Sequence, residues 1–288
     1  MGIDVTITQK LFGSKCMPLE VILGENLHFG NFVSDKLNIG ELGETEFVAY
    51  NPKSIGRGFS VVWNPKEKKT IELRLPQPST TQELSDFYAA VERMARHWNA
   101  RLDVDGRRVS IEGFKTGFQN MVEFNDSTIK HISQQILDGE RDTLTLHSAM
   151  WPLVVGKEEA TLFWENPDSF STWLHEKQAM DVYFASPCFF AGEAGVFARY
   201  FLTNDLPTVF PNQPSVPYGA VALATGEPLE CTKWKIVFGI KGETEPLCEM
   251  DYFQFLKIVS NKKKTKYDGN HFVLSAMTKE EIKMLSAQ

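Results

Sequence analysis

The stretch "STTQELSDFYAAVERMARHW", residues 79–98, limits the fold more than any other part of the chain. Thr80 and Glu83 stand at capping-box spacing, where a hydroxyl and a carboxylate satisfy free amides of a first helical turn. Leu84, Phe87, Tyr88, Val91, Met94 and Trp98 follow at steps of three or four, with Asp86, Glu92, Arg93 and Arg96 elsewhere. This spacing predicts a helix with one wide apolar face, and that face needs a sheet to cover.

The sheet is written just upstream. "IDVTIT" (3–8), "TEFVAY" (45–50), "GFSVVW" (58–63) and "TIELRL" (70–75) carry the alternation of half-buried strands. After the helix, "ARLDVDGRRVSIEGF" reads as a hairpin turning at Asp105-Gly106, with Leu102/Val104 and Val109/Ile111 as flanks. The fold class is therefore α+β, with mainly antiparallel sheets each covered by a helix.

Further on, a helix is expected over 127–137, capped by Asn125 or Asp126 and ended by Gly139. Another is expected over 167–178, bracketed by strands at 160–165 and 181–186. "CFFAGEAGVFARYFL" (188–202) reads as a hairpin about its Gly-Glu-Ala-Gly turn. In 204–219, prolines at 207, 211, 214 and 217 oppose both helix and central strand, which predicts a long loop. A strand follows at 232–242, and Thr278 with Glu281 announces a last helix.

The order strand, acidic-aromatic helix start, helix and Asp-Gly hairpin occurs at 70–111 and again at 233–274. Two related halves, 1–140 and 141–288, are one organisation this suggests. One continuous domain is the other.

Composition narrows function mainly by exclusion. Thirty Lys and Arg against 37 Asp and Glu leave a net charge of −7, which disfavours nucleic-acid backbones. The local run Lys262-Lys263-Lys264-Thr265-Lys266 reads as a solvated turn. The four cysteines, Cys16, Cys188, Cys231 and Cys248, form no Cys-x-x-Cys and have no histidine at zinc spacing. Free thiols in a cytoplasmic setting are the simplest reading. Neither a membrane-spanning apolar run nor a signal peptide is expected.

No Walker loop, zinc-protease, serine-hydrolase or kinase motif is present, so no cofactor or metal is expected. The six histidines are dispersed, and Glu41, Glu44 and Glu46 sit in a Gly-rich loop where carboxylates are solvated. One stretch, "NPKSIGRGFSVVWNPKEKK" (51–69), invites a binding reading. Gly56 and Gly58 flank Arg57, so successive amides form a nest for an anion, with Arg57 and nearby Lys53 adding charge. The alternative is a glycine-relieved turn entering the strand at 58–63.

The strings "YNPKSIGRGFSVVW", "IELRLPQPST" and "DFYAAVERM" resemble an uncharacterised bacterial protein family of similar length. The resemblance implies a bacterial cytoplasmic protein and brings no activity with it. The expected function is a non-enzymatic binding or protein-interaction module, with Phe210, Val216 and Tyr218 of the Pro-rich loop as its presented residues. An enzyme acting on a small anionic substrate anchored by Arg57 is the second expectation.

Overall fold

The computed structural model describes residues 2–10, 16–33, 36–64, 66, 69–192, 195–217, 220–221, 226–259 and 264–287. The chain divides into two compact units, Met1–Ala179 and Met180–Gln288.

The first unit is built on strands β1 (Gly2–Thr8), β2 (His28–Val33), β3 (Lys36–Ile39), β4 (Glu46–Tyr50), β5 (Phe59–Val62), β6 (Thr70–Pro76), β7 (Arg101–Val104) and β8 (Arg107–Val109). They form one antiparallel sheet in the order β3-β2-β4-β5-β6-β1-β7-β8. Helix α1 (Leu19–Leu23) precedes β2. Helix α2 (Thr81–Trp98) is the predicted amphipathic helix, and its Leu84, Phe87, Val91, Met94 and Trp98 share one core with Val5, Phe47, Phe59, Val61, Leu73 and Leu102. Alternation on the strands and three-to-four spacing on the helix thus meet in a single apolar layer.

Both Asn-Pro-Lys copies are turns made by the asparagine. Asn51 Oδ1 accepts the Lys53 amide at 3.0 Å, and Asn64 Oδ1 accepts the Lys66 amide at 2.9 Å. Asp105 and Gly106 both take left-handed φ, 47° and 76°, as a two-residue hairpin turn requires.

The hairpin does not continue to Ile111 as expected. Ser110 instead caps α3 (Ile111–Thr116), accepting the Gly113 amide. The following helix, α4 (Phe118–Leu137), begins nine residues before the expected start. Asn125 is therefore inside it and buried, bonding the Ser79 backbone rather than capping. After strands β9 (Leu144–Leu146) and β10 (Leu153–Val155) comes α5 (Lys157–Glu165), where a strand was expected. Periodicity cannot separate a short buried strand from a short helix. The deciding signal was Glu159, whose carboxylate accepts the Gly156 amide and closes the first turn. Helix α6 (Ser169–Ala179) follows as expected.

The second unit has two four-stranded sheets. One runs β11 (Tyr183–Phe184), β14 (Thr208–Pro211), β18 (His271–Leu274), β17 (Lys264–Lys266). The other runs β12 (Cys188–Gly192), β13 (Gly195–Thr203), β15 (Lys233–Gly239), β16 (Cys248–Asp251). Helices α7 (Tyr252–Ile258) and α8 (Lys279–Ser286) complete it, with Tyr200, Phe210, Phe238, Tyr252, Phe255, Phe272 and Ile282 in its core.

β14 corrects the expectation that 204–219 holds no central strand. It lies between β11 and β18, because Pro207 stands just before it and Pro211 at its last position. Thr208, Val209 and Phe210 keep their amides. The strand expected at 181–186 shrinks to the two residues of β11. The two Asp-Gly turns also differ in build: Asp268 accepts the Asn270 and His271 amides with its side chain, instead of turning left-handed. In the first unit β6 and the β7–β8 hairpin share a sheet, whereas β15 and the β17–β18 hairpin lie in different ones.

Among the described residues no helix is long and apolar enough to cross a membrane.

Candidate functional site

The loop between β4 and β5 carries four of the residues singled out from sequence. Its polar groups are satisfied from within the first unit. Asn51 donates to Asp86 at 2.9 Å. The Ile55 amide donates to His175 Nδ1 at 3.0 Å, which places the imidazole proton on Nε2. The Gly56 carbonyl accepts from Gln178 Nε2 at 2.7 Å and from the Ala149 amide at 3.2 Å.

The Arg57 and Gly58 amides are both answered inside the fold by Glu83. Its carboxylate accepts the Arg57 amide at 3.0 Å, the Gly58 amide, and the Ser79 hydroxyl at 2.6 Å. Glu83 is 5% exposed. Thr80 accepts the Glu83 amide at 3.0 Å, so half of the expected capping box is present. The other half is diverted: the carboxylate turns from its own helix to the loop. A Cβ on Gly56 would fall 2.6 Å from that carboxylate, and Gly58 holds φ of 72°. Gly56 is thus required by the close approach of Glu83, and Gly58 by its left-handed backbone and the nearness of Val48.

The Arg57 side chain donates from Nε to the His147 carbonyl at 3.0 Å and from Nη1 to the Pro78 carbonyl at 3.1 Å. Burial lowers its pKa to about 10, and the Glu83 charge opposes that shift. The guanidinium therefore ties the loop to two other segments. Lys53 is exposed. An external anion on the Arg57 and Gly58 amides would have to displace the Glu83 carboxylate.

The remaining singled-out residues lie in the second unit. Phe210 is on β14 with none of its side chain exposed, packed against Tyr200, Tyr252, Phe255 and Phe272. Presentation of this segment to a partner would have to use other residues. Tyr218 lies outside the described residues, as do Lys262 and Lys263. Among the described residues no group of His, Cys, Asp and Glu could hold a metal. A small apolar cavity in the first unit, lined by Ile129, Ile132, Leu144, Val155, Phe163 and Phe170, has room for about one water.

Sequence reading missed the outer face of β12-β13-β15-β16. Ala198, Tyr200, Leu202, Ile236 and Phe238 turn to the core, so Phe197, Arg199, Phe201, Lys233 and Lys235 turn outward. Phe190 stacks on Phe197 with centroids 5.5 Å apart, and the Arg199 guanidinium lies 4.9 and 5.1 Å from the two rings. Lys235 Nζ is 5.2 Å from the Phe197 ring. Arg199 and Lys235 both pair with Glu249 on β16. Burial pushes the Glu249 carboxyl up, but the bonds from Lys235 and Arg199 outweigh it and hold it below the usual glutamate value. Phe190 and Phe201 remain 37% and 39% exposed. The available signal was that "GVFARYFLT" is apolar on both of its faces, whereas an ordinary surface strand is polar on one.

A family model described as "Domain of unknown function (DUF4299)" matches residues 2–285. No curated protein and no solved structure matches the chain.

Proposed function

We propose that this chain, which belongs to the DUF4299 family, is a non-enzymatic protein-interaction module of the bacterial cytoplasm. Its binding surface is the outer face of β12-β13-β15-β16. The observation that carries the reading is the aromatic and arginine platform in which Phe190 and Phe201 are exposed and Phe197 and Arg199 half-buried. Aromatic rings and arginine supply most of the energy at protein interfaces, because they bury large area at low entropic cost. A folded chain does not gain by leaving such rings in water.

The charge of the face favours a protein over a nucleic acid. Three cations, Arg199, Lys233 and Lys235, face two anions, Glu249 and Asp251, and Glu249 already holds two of the cations. A phosphate backbone needs cations free to replace its counterions. The four cysteines are all unpaired, which supports a reducing compartment.

The reading is tested by affinity capture from lysate with the parent chain and with Phe201→Glu, whose folding is checked by circular dichroism. A partner held by the platform is captured by the parent and lost, at least tenfold, with the variant. The same proteins captured equally by both would refute it.

A further inference from the structure

The edges of the sheets differ in how they are guarded. An unpaired edge strand invites another strand, and proteins protect such edges with charge, shortness, proline or a covering segment. In the first unit, β8 carries Arg107 and Arg108 within three residues. β3 is met by a neighbouring segment, its Leu37 amide donating to the Met150 carbonyl at 3.1 Å. The two-stranded β9–β10 sheet has three residues per strand, and all three of β10 are buried. In the second unit, β17 is Lys-Thr-Lys, β11 has two residues, and β16 carries Glu249 and Asp251.

β12 has none of these devices. It reads Cys188-Phe189-Phe190-Ala191-Gly192, five residues without charge or proline, and four of the five are exposed. One side pairs with β13 along its full length. Among the described residues nothing pairs with the other side. An antiparallel ladder points alternate amides and carbonyls away from the partner strand, so among the described residues those of this side of β12 have no strand to answer them.

We infer that β12 pairs antiparallel with β12 of a second copy of this chain, joining two four-stranded sheets into one. The inference rests on the interaction reading above and names its partner. Two features select self-pairing. The strand is uncharged, so a two-fold axis through it sets no like charges opposite each other. The edge also offers no free charge to choose a charged peptide, since the nearest cation, Arg199, is held by Glu249 and by the two rings. With the axis at the central residue, Phe190 meets Phe190 of the partner subunit. The stacked pair of each copy then becomes one aromatic row across the joined face.

The geometry makes a sharp test. Residues facing each other across an antiparallel pair have Cα atoms about 4.5–5.5 Å apart, within the span of about 4.4–6.8 Å that a disulfide accepts. Phe190→Cys in a Cys188→Ser background is oxidised at micromolar concentration, and sedimentation is measured for the parent and for Ala191→Lys. The expected results are a covalent dimer through position 190, a concentration-dependent dimer of the parent, and at least a tenfold weaker dimer with lysine at the edge. A parent that stays monomeric to hundreds of micromolar would overturn the inference. So would a dimer indifferent to Ala191→Lys, or one that gives no cross-link. Should the parent be monomeric while capture of another protein depends on Phe201, self-pairing fails and the interaction reading stands.

Discussion

The Gly-Arg-Gly loop of the first unit and strand β12 of the second are opposites. The loop has the composition of a ligand site, yet its amides, carbonyl and guanidinium are answered by Glu83, Gln178 and the Pro78 and His147 carbonyls. β12 has the composition of an ordinary core strand, yet it is exposed and, among the described residues, has one side without a ladder. What marks a surface for binding is therefore not the residue type but the state of its polar groups. Groups already satisfied inside the fold resist a ligand, while bare backbone and exposed rings invite one.

A second pair sharpens the point. Thr80 and Glu83 open α2 with the same spacing as Thr278 and Glu281 at α8. At α8 the box closes on itself: Thr278 accepts the Glu281 amide at 3.2 Å, and Glu281 accepts the Thr278 amide at 2.8 Å. At α2 burial beneath the loop redirects the carboxylate to the Arg57 and Gly58 amides and the Ser79 hydroxyl. Glu83→Ala should leave these donors unmet in a dry site and cost about 3 kcal/mol. Thr278→Ala should cost about 1 kcal/mol, as exposed caps do. Urea unfolding of both variants checks this, and equal losses would break the comparison.

The smallest expected effect is at Glu249. Its folded pKa is held below the ordinary value. A carboxylate of this kind adds stability above its unfolded pKa and loses it as pH falls through the folded one. The pairs with Arg199 and Lys235 are about a third exposed, so the contribution stays below about 1 kcal/mol. The urea midpoint should show a Glu249-dependent drop only below about pH 4, absent in Glu249→Gln. A drop of equal size in both proteins would remove Glu249 from the account.

Much of this was legible in the sequence where the signal was local. The α2 stripe, the four strands before it and the Asp105-Gly106 turn each need only a few neighbouring residues. What sequence could not show depended on distant partners. Glu83 reads as a helix cap until β5 is brought beside it, 25 residues away. His175 meets Ile55 across 120 residues. The 160–165 segment was too short for its period to decide. At 204–219 the prolines sit where a central strand can bear them, at its two ends. The platform had a signal in "GVFARYFLT", whose two faces both carry apolar residues, but alternation alone cannot say which of the two is covered.

Hydrogen exchange read residue by residue, at dilute and at high protein concentration, tests the closed loop and the open edge together. The account predicts that the Arg57 and Gly58 amides are strongly protected at both concentrations, because Glu83 holds them. It predicts that the outward amides of β12 exchange freely when dilute and become protected when concentrated. Fast exchange at Arg57 and Gly58, together with β12 protection that does not change with concentration, would contradict it.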